Sequence, residues 1–302
     1  MPLNPPCKQA FAPGTLYVVS TPIGNLSDMT FRGVEILKAV SLIAAEDTRN
    51  TARLLSAFDI HTPMTSCHEH NEERCAQTIA VRLLAGDSVA LVSDAGTPSV
   101  SDPGFRVMTA ALKQGVKVVP VPGASAAVAA LCASGLPSDQ FCFLGFSPKK
   151  KSKRKEMLNN AAERIETLIF YESARRIVAF LGEIFEIMGD RRVVVAREMT
   201  KLHEEFIRGR ISDVIRELAG RDSIKGEITL LVSGAEKKSG EITPEILAGI
   251  KDELKGGKFG ASDIAKRFSK IYDVPKNRIY SLVMDMKDTD LKSKMRRRDK
   301  DG

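Results

Sequence analysis

Four turns in the first half of the chain carry residue types from which a small-molecule site can be built. They read STPIGNLSD (20–28), EDTRNT (46–51), SDAGTPSVSDPG (93–104) and PVPGASAA (120–127). Gly and Pro let backbone amides approach a ligand closely, and small side chains leave room for it. Asp47, Asp94 and Asp102 place carboxylates among those amides. A nucleoside-like cofactor with a carboxylate tail is the kind of ligand such turns can grip, provided that they gather at the carboxyl ends of neighbouring strands.

Other chemistries find no support. The first strand is not followed by GxGxxG, and GxxxxGK[ST] does not occur. Gly123-Ala124-Ser125-Ala126-Ala127 lacks the second glycine of a hydrolase nucleophile turn. His61, Cys67, His68, His70 and Cys75 fall close together but match no standard zinc spacing, so they read as polar loop residues and no metal is expected.

The elements that must position these turns alternate. Strands are predicted at 16–20, 42–47, 62–67, 88–94 and 117–122, with helices near 28–40, 50–58, 71–85 and 105–114. This pattern predicts a mostly parallel sheet covered on both faces. A helix at 125–134 and strands at 141–146, 167–172, 192–198, 204–209 and 227–233 follow, with helices near 152–164, 174–188 and 211–219. MTKLH (199–203) is too short for a helical crossover, so an antiparallel hairpin and a mixed sheet are expected here. Three short helices, 245–255, 261–272 and 276–286, end the pattern. The division predicted is a flexible tail (1–13), an N-terminal α/β domain (14–122), a C-terminal α/β domain (123–235), a helical segment (244–286) and a basic tail (287–302).

The 302 residues carry a net charge of +7, which favours polyanionic partners. With no Trp and 6% aromatics, base stacking is not expected to be the main binding device. Five cysteines in irregular spacing read as reduced thiols, and no apolar run approaches a membrane span or a signal peptide, so the expected location is cytoplasmic, away from membranes.

The runs LYVVSTPIGNLSDMTFRGVEILKAVSLIAAEDTRNTARLL, SDAGTPSVSDPG, VPVPGASAAVAALCASGLP, FYESARRI and REMTKLHEEFIRG resemble the ribosomal RNA small subunit methyltransferase I family, of the tetrapyrrole-methylase superfamily, over about residues 14–286. The resemblance implies two α/β domains with an S-adenosyl-L-methionine site in the cleft between them, usually in a homodimer. It further implies 2'-O-methylation of a cytidine ribose in the decoding centre of 16S rRNA within the small ribosomal subunit. Where the superfamily has Gly-Pro-Gly, this chain has Thr21-Pro22-Ile23-Gly24; where it has Gly-Asp-Pro, this chain has Gly96-Thr97-Pro98, with the acidic residue moved to Asp94. The matching positions nominate Ala95, Gly96, Thr97, Val100, Ser125 and Ala126 for the cofactor, with Pro22, Gly24 and Asp94 in the same turns. Tyr171 and Glu172 would approach from the second domain.

A ribose hydroxyl is a poor nucleophile, so a base or hydrogen-bond acceptor is expected to help. The candidates are Glu46, Asp47, Glu198 and Glu205, with Lys201 added if desolvation lowers its pKa; Arg49 and Arg197 are candidates for phosphates or the cofactor carboxylate. KKKSKRK (149–155) offers Lys149, Lys150, Lys151, Lys153, Arg154 and Lys155 to RNA phosphates, and MRRRDK (295–300) is a second basic run; either is equally a solvated charge run. The last two helices resemble a helix-turn-helix pair that touches RNA or caps the dimer. Methylation of a tetrapyrrole or another small or protein substrate, and RNA binding by a catalytically dead methylase fold, are the alternatives to be tested.

Overall fold

The computed structural model describes residues 14–236, 242–272 and 274–298; the expected tail at 1–13 lies outside them. One compact unit runs to Ala235 and a second begins at Glu236.

The first sheet contains β1 (Thr15–Val19), β2 (Leu42–Ala45), β3 (Met64–Ser66), β4 (Val89–Val92) and β5 (Lys117–Val121), in the order β3-β2-β4-β1-β5. All its pairings are parallel. β1, β2 and β4 are buried throughout, because alternate residues feed two different cores. Leu16, Leu42, Ala44, Val89 and Leu91 pack with Ile79 and Leu83 of α3 (Glu72–Leu84) and Val107 and Ala111 of α4 (Phe105–Lys113). Tyr17, Val19, Ile43, Ala45, Ala90 and Val92 pack on the other face with Ile36 and Leu37 of α1 (Phe31–Ala39) and Leu55 of α2 (Thr48–Ala57). Polar side chains start two of these helices: Thr30 accepts from the Gly33 amide at 3.0 Å, and Asp47 from the Arg49 amide at 2.8 Å.

The connection after β1 leads to β2 on one side, while that after β4 leads over β1 to β5 on the other. A crevice therefore opens at the carboxyl ends of β1 and β4. Two backbone hydrogen bonds between Thr21 and Gly96, 2.9 and 3.0 Å, cross its base.

The second sheet has the order β6-β7-β10-β8-β9, from β6 (Phe141–Phe146), β7 (Thr167–Ser173), β8 (Arg192–Arg197), β9 (Glu205–Arg210) and β10 (Glu227–Val232). Only β6–β7 is parallel; β8 and β9 form the hairpin expected from the short 199–203 connection. Ala127, Ala130 and Leu131 of α5 (Ala126–Ser134) cover one face. The other is covered by α6 (Lys151–Ala161), α7 (Ile177–Met188) and α8 (Ile211–Ala219). The basic run thus lies at the start of a helix, not in a loose loop.

The second unit folds α9 (Pro244–Gly256), α10 (Ala261–Tyr272) and α11 (Lys276–Arg298) around Ile250, Ile264, Phe268, Ile279 and Val283. The helix expected to stop at 286 continues to Arg298, so 287–298 is helical and not a tail. No Gly or Pro interrupts 287–298, and nothing else in that stretch stops a helix.

Candidate active site

A cavity of about 400 Å³ lies between the two sheets of the first unit. The first sheet's turns line it with Ile23, Glu46, Asp94, Ala95, Gly96, Thr97, Val100 and Asp102, and the start of α5 adds Ser125 and Ala126. The second sheet's strand ends supply Phe146, Tyr171, Glu172, Met199 and the stretch 226–229.

Three turns are tied together at the floor. The Thr97 hydroxyl donates to the Ala124 carbonyl at 3.1 Å and pairs with the Ser20 hydroxyl at 2.9 Å; Thr21 Oγ1 donates to the Ser93 carbonyl at 3.1 Å. Gly96 adopts φ +84°, which glycine takes without strain. Ser99 and Ser101 also have positive φ, 70° and 66°, a conformation that costs such residues about 1–3 kcal/mol each and persists only when the surroundings impose it. The imposition is visible: buried Glu72 Oε1 accepts from the amides of Gly104 and Arg106 at 2.8 and 2.9 Å, fixing the end of this loop.

The carboxylates of this wall are poorly neutralised. Burial pushes Glu46 up, the Asp94 amide (3.2 Å) partly offsets this, and the charges of Asp94 and Asp47 push it further. Asp102 is raised to about 6, mainly by burial and then by the Glu46 charge, against a hydrogen bond from Ser93. Asp94 spends its oxygens on the Asp47 amide (3.1 Å) and Asn50 Nδ2 (2.9 Å), joining the turns after β2 and β4. Tyr171 is pushed up by burial, while its hydroxyl accepts from the Ala127 amide.

Several expected site residues are engaged elsewhere. Asp47 caps α2 and is gripped by Arg49 Nε and Nη2 at 3.1 and 2.7 Å, which holds it well below the usual carboxylate range; neither side chain lines the cavity. Pro22 and Gly24 flank the lining residue Ile23 without lining the cavity themselves. Gly24 instead packs on the 199–203 turn, where a Cβ would lie 2.6 Å from Lys201 Cγ. Lys201 does not carry a lowered pKa: burial pulls it down, but hydrogen bonds from its Nζ to Glu198 (2.8 Å) and Glu227 (2.6 Å) outweigh burial and raise it. The same contact, with the Glu227 amide at 2.9 Å, holds Glu198 low. Glu205 sits between Arg221 (2.7 and 2.8 Å) and Arg197 (3.0 Å) and is lowered to about 2, so neither it nor Arg197 is free for a substrate. Glu172 lines the cavity, yet its carboxylate accepts from Ser147 Oγ, the Ser173 amide (2.7 Å) and Arg176 Nε (2.8 Å).

In the basic run, Lys149, Lys150, Lys151 and Lys153 are exposed. Arg154 is not available to phosphates, because it forms a largely buried double hydrogen bond to Glu183 at 2.7 and 2.6 Å. Lys155 makes only a long contact, 3.9 Å, to exposed Glu186. Exposed His61 pairs with Asp59, and Cys67 and Cys75 are both buried. Among the described residues no group of three or more His, Cys, Asp or Glu could hold a metal ion.

Sequence reasoning missed Ile23, Phe146, Met199 and the 226–229 stretch as lining residues, and saw Asp102 only as a turn carboxylate. Phe146 ends a strand and Gly226 precedes one; neither carries a motif that announces a cavity.

The model of the tetrapyrrole (corrin/porphyrin) methylases matches residues 15–215. A protein of Halalkalibacterium halodurans named ribosomal RNA small subunit methyltransferase I is 43% identical over 273 residues, covering 89% of this chain and 94% of its own. One of Bacillus subtilis with the same name is 48% identical over 225 residues, covering 74% and 77%. Among solved structures, a cobalt precorrin-4 methyltransferase (TM-score 0.55, 19% identity, 73% of this chain and 95% of that one) and a diphthine synthase (0.56, 15%, 73% and 90%) share the fold.

Proposed function

The chain belongs to the tetrapyrrole (corrin/porphyrin) methylases and, within them, to the ribosomal RNA small subunit methyltransferase I family, and from that premise we propose that it transfers a methyl group from S-adenosyl-L-methionine to 16S rRNA. The acceptor is the 2'-hydroxyl of a cytidine ribose in the decoding centre. The observation that carries this reading is that Gly96, Ser125 and Tyr171, from three separate turns and strands, line one cavity.

The cavity's donor set suits the cofactor. When bound, S-adenosyl-L-methionine supplies an electrophilic methyl on a cationic sulfonium. Glu46, Asp94 and Asp102 bring negative charge to the same cavity and favour a cation there. Ser125 caps α5 without a side-chain hydrogen bond, and although the Ala127 amide is taken by Tyr171, the positive end of this helix suits a carboxylate. The turn 94–97, with small residues at 95 and 96, leaves room for a nucleoside.

The acceptor hydroxyl must lose its proton as the new bond forms. Asp102 and Glu46 are the chain's proton acceptors for it: both line the cavity, and burial raises both from their ordinary values. With Asp102 near 6, it is mostly ionised at neutral pH and basic enough to accept a hydrogen bond strongly. Apolar Ile23, Val100 and Met199 limit water around the transfer. Exposed Lys149, Lys150, Lys151 and Lys153 hold RNA phosphates.

The working form is a homodimer in the cytoplasm. Exposed Val81 and Leu84 on α3 and Leu112 on α4 support self-association, and among the described residues no helix is long and apolar enough to cross a membrane.

The test is transfer of labelled methyl to purified small subunits from cells lacking the enzyme, with a tetrapyrrole precursor as the competing acceptor. Labelled cytidine ribose in 16S rRNA is the expected result. Label in the tetrapyrrole alone would replace the substrate, and no label with intact RNA binding would indicate a dead scaffold.

A further inference from the structure

We propose that Phe146 and the segment behind it form the subsite for the acceptor nucleotide: the Phe146 ring stacks on the base, and Lys149 and Lys150 hold the adjoining phosphates. The proposal rests on the RNA-methylation reading given above.

Phe146 lines the cavity and yet is 61% exposed, so it stands at the mouth with most of its ring in solvent. A lone exposed phenylalanine is ordinary on a protein surface. This one is held in place. Its ring meets Tyr171 edge to face, with centroids 5.3 Å apart, and Tyr171 meets Phe143 in the same way at 4.9 Å. The next residues are pinned from behind. Ser147 donates from its hydroxyl to Glu172, and its carbonyl accepts from Arg176 at 3.2 Å. The carbonyls of Pro148 and Lys149 accept from Arg154 at 3.1 and 2.9 Å. Arg154, itself locked on Glu183, therefore fixes the backbone from which the exposed lysines project.

The spacing suits one nucleotide. Lys149 lies three positions after Phe146, a backbone span of at most about 10 Å. An aromatic face and two cations thus come from one rigid stretch at the rim. A ribose whose oxygen must enter the cavity carries its base and phosphates to that rim. Low aromatic content argues against an extended stacking platform, but one nucleotide needs one ring, and every base has a face to offer it. Positive charge beside the ring matches the polyanion and commits the subsite to RNA.

The experiment measures binding of a labelled single-stranded oligocytidylate by fluorescence anisotropy across a salt series, together with KM for small subunits and S-adenosyl-L-methionine affinity by calorimetry. Phe146→Ala and Phe146→Leu are expected to weaken RNA affinity about 5- to 100-fold with the salt slope unchanged, and Phe146→Tyr to restore it. Replacing Lys149, Lys150 and Lys151 together by Ala is expected to reduce the salt slope by about 2. Wild-type RNA affinity in both Phe146→Ala and Phe146→Leu would overturn the proposal. So would an equal loss of cofactor affinity, which would assign the ring to the adenine of S-adenosyl-L-methionine. A wild-type protein that binds RNA through Phe146 but methylates no subunit would overturn the methylation reading alone.

Discussion

The carboxylates at the strand ends of the first sheet and those of the second sheet live in opposite surroundings. Glu46 and Asp102 are half-buried near other acids, form no ion pair with an arginine or lysine among the described residues, and are raised. Glu198 and Glu205 are each bound by lysine or arginine and are lowered. Even Glu172, which lines the cavity, is fully engaged by Arg176 and Ser147. An acid that can change its protonation near neutral pH is useful for moving a proton; an acid locked to a guanidinium is useful for holding strands together. On the proposed reading, the first sheet's turns carry the proton transfer, and the second sheet supplies an ion-paired opposing wall.

The sharpest way to break this contrast is to neutralise the first wall. Asp102→Asn is expected to lower kcat for methyl transfer about 10²- to 10⁴-fold in a single-turnover assay. In the wild type, activity should fall as pH drops through about 6, where Asp102 takes up its proton. The stability effect runs the other way. A carboxyl whose pKa is raised on folding favours the folded state fully below its unfolded value, and that contribution is lost as pH rises through about 6. The melting temperature of Asp102→Asn should therefore exceed that of the wild type by a margin that grows as pH rises from about 4 through about 6 and is level above it. A pH profile unchanged by the substitution would remove Asp102 from proton transfer.

Next in size is the support behind the lysine run. Arg154→Ala leaves Glu183, a largely buried carboxylate, without its partner and should cost about 2–3 kcal/mol in urea unfolding. It tests whether Arg154 is structural, because loss of RNA affinity without loss of stability would return it to the phosphate-binding set.

Glu205→Gln tests the second wall. Glu205 is lowered to about 2, so its contribution is present above its unfolded value and is lost as pH falls through about 2. The variant should lose about 1–2 kcal/mol at pH 7, discounted for partial exposure, and progressively less as the pH falls below about 4. Its methyl-transfer rate should stay near wild type at a temperature where both are folded. A large loss of kcat would place Glu205 in the chemistry after all.

The smallest expected effect concerns single lysines. Lys153→Ala should reduce the salt slope of RNA binding by less than 1 and leave cofactor affinity alone.

Much of the frame was legible because it depends on local pattern. The β-branched runs of β1, β2 and β4, ended by Ser, Glu and Asp turns, gave strands whose positions and parallel pairing the structure reproduces. The brevity of the 199–203 connection likewise revealed the β8–β9 hairpin. Partnerships over distance were not legible. Nothing local links Arg154 to Glu183 or Arg221 to Glu205, so Arg154 read as a phosphate ligand and Glu205 as a base. Lys201 was misjudged in part for the same reason: burial and nearby Glu198 were foreseeable, but the Glu227 carboxylate that joins Glu198 in outweighing burial comes from another strand. The helical run through 287–298 was hidden by its charge, which resembles that of a solvated tail.

Calorimetric titration of S-adenosyl-L-methionine into the wild type and into Ala126→Trp, a substitution that fills the cavity from the start of α5, tests the central claim most directly. Saturable one-site binding to the wild type, lost in a folded Ala126→Trp, is the expected result. Equal binding to both proteins, or none to either at millimolar ligand, would contradict it.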